Sequence, residues 1–130
     1  MVGIVVVSHS QKLAEGVVEI AKMMADKDAP IVAAGGVEDG GLGTSFEKIS
    51  RAVDEVYSED GVAILMDMGS AVMTAEMVIE SMEDRHIMLM DGPVAEGAVL
   101  AAVEAKMGSS LEDIAKRVEE ARGLKKLSED

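Results

Sequence analysis

The chain contains no cysteine and no tryptophan, and Phe46 and Tyr57 are its only aromatic residues. Without cysteine there is no disulfide, no thiolate metal site and no cysteine nucleophile. The scarcity of rings removes the stacking platforms on which proteins hold nucleic-acid bases. Positive charge is scarce too: 12 Lys and Arg stand against 25 Asp and Glu, a formal net charge of −13. Such a surface repels phosphate backbones and anionic lipid headgroups. No apolar run approaches the ~18 residues that a membrane span requires, and Met1 to Val7 lack the positive region of a secretory signal. Nucleic-acid binding and membrane insertion are therefore not expected, and a cytoplasmic location is.

The apolar content, 48% of 130 residues, comes from Val, Ile, Leu, Ala and 11 Met. A chain of this size is expected to bury roughly two-thirds of its extended surface, enough for a core without staples. One domain is expected over residues 1–123, with 124–130 as a frayed tail. The negative charge is uneven. Residues 1–115 hold 7 basic and 21 acidic side chains, and residues 116–130 hold 5 and 4. An acidic body favours solubility and also suits a basic protein partner.

Val2 to Val7 is a nearly continuous β-branched run, the pattern of a parallel strand covered on both faces. Leu13, Val17, Ile20 and Met24 then recur at helical spacing and predict a helix over about 10–26. A second strand, Ile31 to Ala34, opens into a loop with five glycines between Gly35 and Gly43. Thr44 with Glu47 reads as a capping box for a helix whose buried face is Phe46, Ile49, Val53 and Val56. Gly61 to Met66 is a third strand, followed by the turn Asp67-Met68-Gly69-Ser70 and a helix with the stripe Ala71, Ala75, Val78, Met82. His86 to Met90 is a fourth strand. Pro93 suits the first turn of an alanine-rich helix to about residue 106. Ser109 and Glu112 box a last helix striped by Leu111, Ile114, Val118 and Ala121, with Gly123 placed to end it. Four alternations of strand and helix predict an open, doubly wound, mostly parallel α/β sheet with helices on both faces, in the order 2-1-3-4.

In such sheets ligands bind beyond the C-terminal ends of the strands, where strand order reverses. If strand 1 lies between strands 2 and 3, His9, the glycine loop and Asp67 converge there. His9 stands at a strand-to-helix junction, where unpaired N–H groups and the helix dipole favour an anion. Ser8 and Ser10 flank it with hydroxyls. A carboxylate at Asp67 accepting the His9 Nδ1–H would set the tautomer and free Nε2 as a nucleophile. The plainer readings are that His9 is a surface loop residue and that Asp67 forms a turn. Ser70 is placed to cap the third helix, and its hydroxyl could also face a phosphoryl group.

Other signals are weaker. The glycine loop lacks the lysine of a P-loop and does not follow strand 1 as a dinucleotide fingerprint would. Asp67 and Asp91 suggest a metal site or a receiver-type phospho-aspartate, but a receiver needs an acidic pair after strand 1, where this chain has Ser8-His9-Ser10. His86, at the opposite edge, reads as structural, and the methionines as filler of core and interfaces.

These residues match a known pattern. Gly3-Ile4-Val5-Val6-Val7-Ser8-His9-Ser10, Ala33-Ala34-Gly35-Gly36, Gly43-Thr44-Ser45, Met66-Asp67-Met68-Gly69-Ser70-Ala71 and Glu96-Gly97 together resemble the phosphotransferase subunits of phosphoenolpyruvate-dependent dihydroxyacetone kinases. The likeness extends over about residues 1–120, and those subunits are similar to the IIA domains of mannose-class sugar transporters. The resemblance implies that His9 accepts a phosphoryl group from phospho-HPr on Nε2 and passes it to ADP in a partner kinase subunit. A further, dihydroxyacetone-binding subunit would then receive the phosphate. It implies that Asp67 orients His9, that Ser8, Ser10, Gly69 and Ser70 support the phosphate, and that neither metal nor cofactor is required. Some members carry fused HPr-like and enzyme-I-like domains, and this chain stops at Asp130, so a separate donor protein is expected. The Met68-Gly69-Ser70 sequence departs from the Trp and paired Gly usual in the transporter branch and favours the dihydroxyacetone branch. A homodimer through apolar, methionine-containing surfaces is expected. The alternatives are a mannose-class transporter IIA component passing phosphate to a IIB domain, and a non-catalytic interaction domain.

Overall fold

The computed structural model describes residues 1–128. Its strands are β1 (Gly3–Ser8), β2 (Ile31–Gly35), β3 (Val62–Met66) and β4 (Ile87–Leu89). The helices are α1 (Gln11–Met24), α2 (Phe46–Val56), α3 (Ser70–Ser81), α4 (Val94–Lys106) and α5 (Leu111–Glu120), with a 3₁₀ turn at Ala121–Gly123. The strands form one sheet in the order β2-β1-β3-β4, and every pairing is parallel. This is the doubly wound topology that the alternating pattern predicts.

Every residue of β1 is buried, because both faces of the sheet are covered. Ile4 and Val6 face one layer, built from α1, α4 and α5 around Leu65, Met90, Leu111 and Ile114. Val5 and Val7 face the other, built from α2 and α3 around Ile49, Val53, Ile64 and Val78. The period of two along the strand assigns alternate side chains to opposite layers. Only an apolar run fits such a position.

Helix α1 is where sequence and structure part most clearly. Its buried residues are Ala14, Val17 and Ala21, whereas Leu13, Ile20 and Met24 are exposed. The reason is the neighbour. Helix α4 presents Ala98, Ala101, Ala102 and Ala105, and two small-residue faces can approach closely. The larger side chains of α1 are left exposed, and Ile20 and Met24 make an apolar surface with Val99, Leu100 and Leu124.

Two caps also shift by one residue. Ser45, not Thr44, caps α2, accepting the Lys48 N–H at 3.1 Å. Ser110, not Ser109, caps α5, accepting from Asp113 N at 3.1 Å, while the Ser109 hydroxyl bonds Glu104 at 2.7 Å. Pro93 is the N-cap of α4 rather than its first helical residue. Gly123 ends a 3₁₀ turn rather than α5 itself. Within the expected tail, residues 124–128 carry no helix or strand, and residues 129–130 lie outside the described residues.

The register brings the C-terminal ends of three strands level. Ser8 pairs with Gly35, and Val7 with Met66. Gly35 is confined there: its N–H donates to Gln11 Oε1 at 3.0 Å, and its carbonyl accepts from Lys48 Nζ at 2.6 Å. A Cβ on Gly35 would lie 2.5 Å from the Ser10 carbonyl oxygen and 2.7 Å from Gln11 Cα. Both obstacles are backbone, so they cannot rotate away. Gly35→Ala is expected to lower stability by roughly 1–3 kcal/mol, as overpacking does, read by urea unfolding; wild-type stability would show that β2 and the start of α1 can separate at no cost.

Candidate functional site

The parallel register that levels Val7 with Met66 sets the next residues, Ser8-His9 and Asp67, side by side at the sheet edge. Asp67 N–H donates to the Val7 carbonyl at 3.1 Å, extending the ladder by one rung. The Asp67 carboxylate therefore sits under the β1–α1 junction. Four donors converge on it. Oδ1 accepts from His9 Nδ1 at 3.0 Å and from Met68 N–H at 2.7 Å; Oδ2 accepts from the Ser8 hydroxyl at 2.9 Å and from His9 N–H at 2.9 Å.

Burial raises the Asp67 carboxyl, but the His9 N–H, the Ser8 hydroxyl, the His9 ring and the Met68 N–H all lower it. Together they outweigh the burial and hold it below its ordinary value of 3.8. An ionised carboxylate can only accept, so His9 Nδ1 carries the proton of that bond. In the neutral ring Nε2 is then an acceptor. It faces the Ser70 hydroxyl, which donates to it at 2.7 Å. Asp67 thus selects the tautomer and leaves the Nε2 lone pair at the surface, with the His9 side chain 29% exposed and the Asp67 side chain 14%.

Two helix N-termini flank this nitrogen. Helix α1 begins two residues after His9, capped by Ser10, whose hydroxyl accepts the Leu13 N–H at 3.2 Å. Helix α3 begins at Ser70 itself, after Gly69. Gly69 has φ +41, in the region that favours glycine. Charge on an anion at Nε2 would meet the positive ends of both helices.

The residues expected at the site take different parts. His9, Asp67 and Ser70 meet in one hydrogen-bonded line. Ser8 is a correction: it is 1% exposed, its hydroxyl donates to Asp67, and it accepts from Ser10 N–H at 3.0 Å. It therefore holds the carboxylate rather than facing a phosphate, because side chains alternate along β1 and its own points between the strands and α1. Ser70 is another, since Gly69 occupies the cap position and makes no side-chain cap. Its hydroxyl is freed for His9.

The glycine loop is joined to the site through its backbone, with Gly36 N–H on the Ser8 carbonyl at 3.1 Å and Gly43 N–H on the His9 carbonyl at 2.9 Å. Asp91 takes no part; it pairs with Arg122 at 3.0 Å. Among the described residues no cluster of three or more His, Asp or Glu is arranged to hold a metal ion. His86 lies at the other edge, where Nε2 meets Glu112 at 3.0 Å and its carbonyl accepts from Val62 N–H. Two threonines escaped the sequence reading as site residues. Thr44 Oγ1 lies 2.9 Å from Thr74 Oγ1, which donates to the Ser70 carbonyl at 2.9 Å. The signal available was that Thr74 falls four residues after Ser70, on the same helical face.

Comparison with known proteins agrees with this geometry. Residues 3–115 match the family described as PTS system fructose IIA component. The chain is 41% identical over 113 residues to phosphoryl donor subunit DhaM of a PEP-dependent dihydroxyacetone kinase of Listeria innocua, covering 87% of this chain and 89% of that one. It is 35% identical to the phosphotransferase subunit DhaM of a PTS-dependent dihydroxyacetone kinase of Lactococcus lactis, covering 90% and 93%. The Escherichia coli phosphoryl donor subunit DhaM is 36% identical over 88% of this chain, which spans only 25% of that relative. Among solved structures, a protein of unknown function superposes with a TM-score of 0.80 at 26% identity, covering 98% of this chain and all of the other. A PTS component EIIA of Streptococcus agalactiae gives 0.72 at 18% identity, covering 94% and 92%, and shares the fold.

Since the Asp67 pKa is lowered, its share of stability is complete above the ordinary carboxyl value and is lost as pH falls through the depressed one. Asp67→Asn, which replaces one of the two accepting oxygens by an NH2 that faces two donors, is expected to be less stable than wild type at neutral pH. The deficit should shrink as the pH is taken below the ordinary carboxyl value of 3.8 and the wild-type carboxylate takes up a proton. Urea unfolding across that pH range checks this; a pH-independent difference would show that the charge on Asp67 adds nothing.

Proposed function

The chain belongs to the family of PTS system fructose IIA components, and from that membership we propose that it is a phosphohistidine carrier, the phosphoryl donor subunit of a phosphoenolpyruvate-dependent dihydroxyacetone kinase. The observation that carries the reading is the line Asp67–His9–Ser70, with Nδ1 held at 3.0 Å and Nε2 at 2.7 Å from their partners. Near-complete coverage of the Listeria and Lactococcus DhaM subunits supports the dihydroxyacetone branch over the sugar-transporter branch.

The proposed cycle has two phosphoryl transfers. In the first, the Nε2 lone pair of His9 attacks the phosphorus carried by phospho-HPr; the new N–P bond forms as the donor's N–P bond breaks. Nδ1 keeps its proton, so the ring becomes cationic, and Asp67 stabilises the charge that develops. The Ser70 hydroxyl releases Nε2 as the phosphoryl group arrives and turns its proton to a phosphoryl oxygen. The N-termini of α1 and α3 favour the added negative charge, with Ser10 and Gly69 at their starts. In the second transfer a terminal phosphate oxygen of ADP, held in the kinase subunit, attacks the same phosphorus. The bond to Nε2 breaks and the neutral ring is restored. The ATP so formed phosphorylates dihydroxyacetone bound by the third subunit.

The open setting of His9 suits this role, because a carrier must present one atom to two proteins in turn. The proposal sets the carrier in the cytoplasm with its phosphoryl donor and acceptor. Among the described residues no helix is long and apolar enough to cross a membrane. It acts as a single domain over residues 1–123 and as a homodimer, for which exposed Met73 and Met77 on α3, or Leu13, Ile20 and Met24 on α1, supply apolar faces.

With phosphoenolpyruvate, enzyme I and HPr, the wild-type chain is expected to acquire one acid-labile phosphate and His9→Ala none, measured by phosphate labelling. Labelling that persists in the variant would refute the assignment. Transfer from the labelled chain to dihydroxyacetone kinase subunits rather than to a sugar-transporter IIB acceptor separates the two branches, and absence of any labelling would favour an interaction domain. Sedimentation is expected to report a dimer at micromolar concentration, and a monomer would overturn that part of the proposal.

A further inference from the structure

Helices α1, α2 and α5 are each capped by a serine that accepts a first-turn N–H: Ser10, Ser45 and Ser110. Helix α3 is not. Its cap position is Gly69, no side chain caps it, and no acidic residue lies in its first turn. A first turn without these aids is the part of a helix most prone to fray. Yet this turn carries Ser70, whose hydroxyl must sit at 2.7 Å from His9 Nε2.

The turn is tied down from another direction. Thr74 has one hydroxyl proton, and it is donated to the Ser70 carbonyl at 2.9 Å. The 2.9 Å contact with Thr44 is then donated by the Thr44 hydroxyl. Thr44 follows Gly43, whose N–H donates to the carbonyl of His9 itself at 2.9 Å. Thr44 also precedes Ser45, which is buried and caps α2. The hydrogen bonds close a ring: from His9 to Gly43, through Thr44 to Thr74, to Ser70, and back to His9 Nε2. A threonine bonding its own helix four residues back is common and needs no explanation. The bond across 30 residues to Thr44 is not required by the helix.

We propose that the Thr44–Thr74 hydroxyl pair is a latch that positions Ser70 against the reacting nitrogen of His9, so that both threonines are positioning residues for phosphoryl transfer. The latch ties α3 from the outside, beside a first turn whose Ala71 and Val72 N–H groups donate to the Met68 and Gly69 carbonyls at 2.9 and 3.1 Å. The inference rests on His9 being the phosphoryl carrier.

Thr44→Val and Thr74→Val keep the shape and remove the hydroxyls. Each is expected to move the ¹⁵N resonance of His9 Nε2 in the unphosphorylated protein towards its position in Ser70→Ala, where the hydrogen bond is gone. With phospho-HPr as donor, each is expected to lower kcat roughly five- to tenfold, about what one displaced hydrogen bond is worth, with KM unchanged. The double variant should lose little more than either single one, because both remove the same bond. Thr44→Ser and Thr74→Ser should recover the resonance position and most of the rate. In folded valine variants, judged by circular dichroism and melting, a wild-type Nε2 resonance or a wild-type kcat overturns the latch. So does a serine variant as slow as the valine one, which would assign the effect to methyl packing. If Thr74→Val does not fold, the Thr44 pair decides the matter alone. Should the wild-type chain accept no phosphate, the carrier reading falls, and the Nε2 resonance still tests the latch.

Discussion

The carboxylate of Asp67 is the point on which the rest of the site depends. It stands where β1 and β3 end level with each other, and it accepts four hydrogen bonds, two to each oxygen. Those bonds keep it ionised against the cost of burial. An ionised carboxylate cannot donate, so the proton of the shared bond sits on Nδ1, and Nε2 is the nitrogen free to act as the nucleophile of the proposed transfer. Tautomer, nucleophile and the direction of the Ser70 bond all follow from one group's inability to give a proton. The Ser8 hydroxyl and the His9 amide are the other half of the arrangement, since without them the carboxylate could rotate away from the ring.

A carrier is asked to hold a phosphoryl group and then to give it up, and the chemistry around His9 is moderate in keeping with that. The protein offers hydroxyls, two helix starts and one carboxylate; the His9 ring is hydrogen-bonded to the Asp67 carboxylate and the Ser70 hydroxyl rather than to a lysine or arginine side chain. A cationic clamp would stabilise the bound phosphate more and release it more slowly. In the proposed cycle the positive charge that balances the phosphoryl group arises on the imidazole ring during transfer and disappears with the departing group. Asp67 answers the charge only while it exists.

Much of this was legible in the chain because it rests on local order and periodicity. Apolar runs of four to six residues ending in Ser8-His9-Ser10 and Asp67-Met68-Gly69-Ser70 announce strands with polar ends. Their alternation with helical stripes leaves little choice but a parallel sheet. The stripe on α1 misled because periodicity reports which residues share a face, not which face a neighbour will cover. Leu13, Ile20 and Met24 do share one, and alanines on α4 drew the adjacent face, Ala14, Val17 and Ala21, inwards. The shifted caps have a similar origin: Thr44 and Ser45 are both competent, and only the path of the preceding loop determines which hydroxyl meets the free N–H group.

What the sequence by itself determined was the fold, the edge of the sheet where the candidate site lies, and His9 with Asp67 as the pair at that edge. These depend on hydrophobic pattern and on the ends of strands, both written in consecutive residues. Tertiary structure alone decided that the Ser8 hydroxyl is spent on the carboxylate, that Ser70 is released from capping, and that Thr44 reaches Thr74 from 30 positions away. Those roles depend on the direction in which a single hydroxyl points. That direction is set by the register between strands and by the seating of a helix on the sheet, which no run of neighbouring residues encodes.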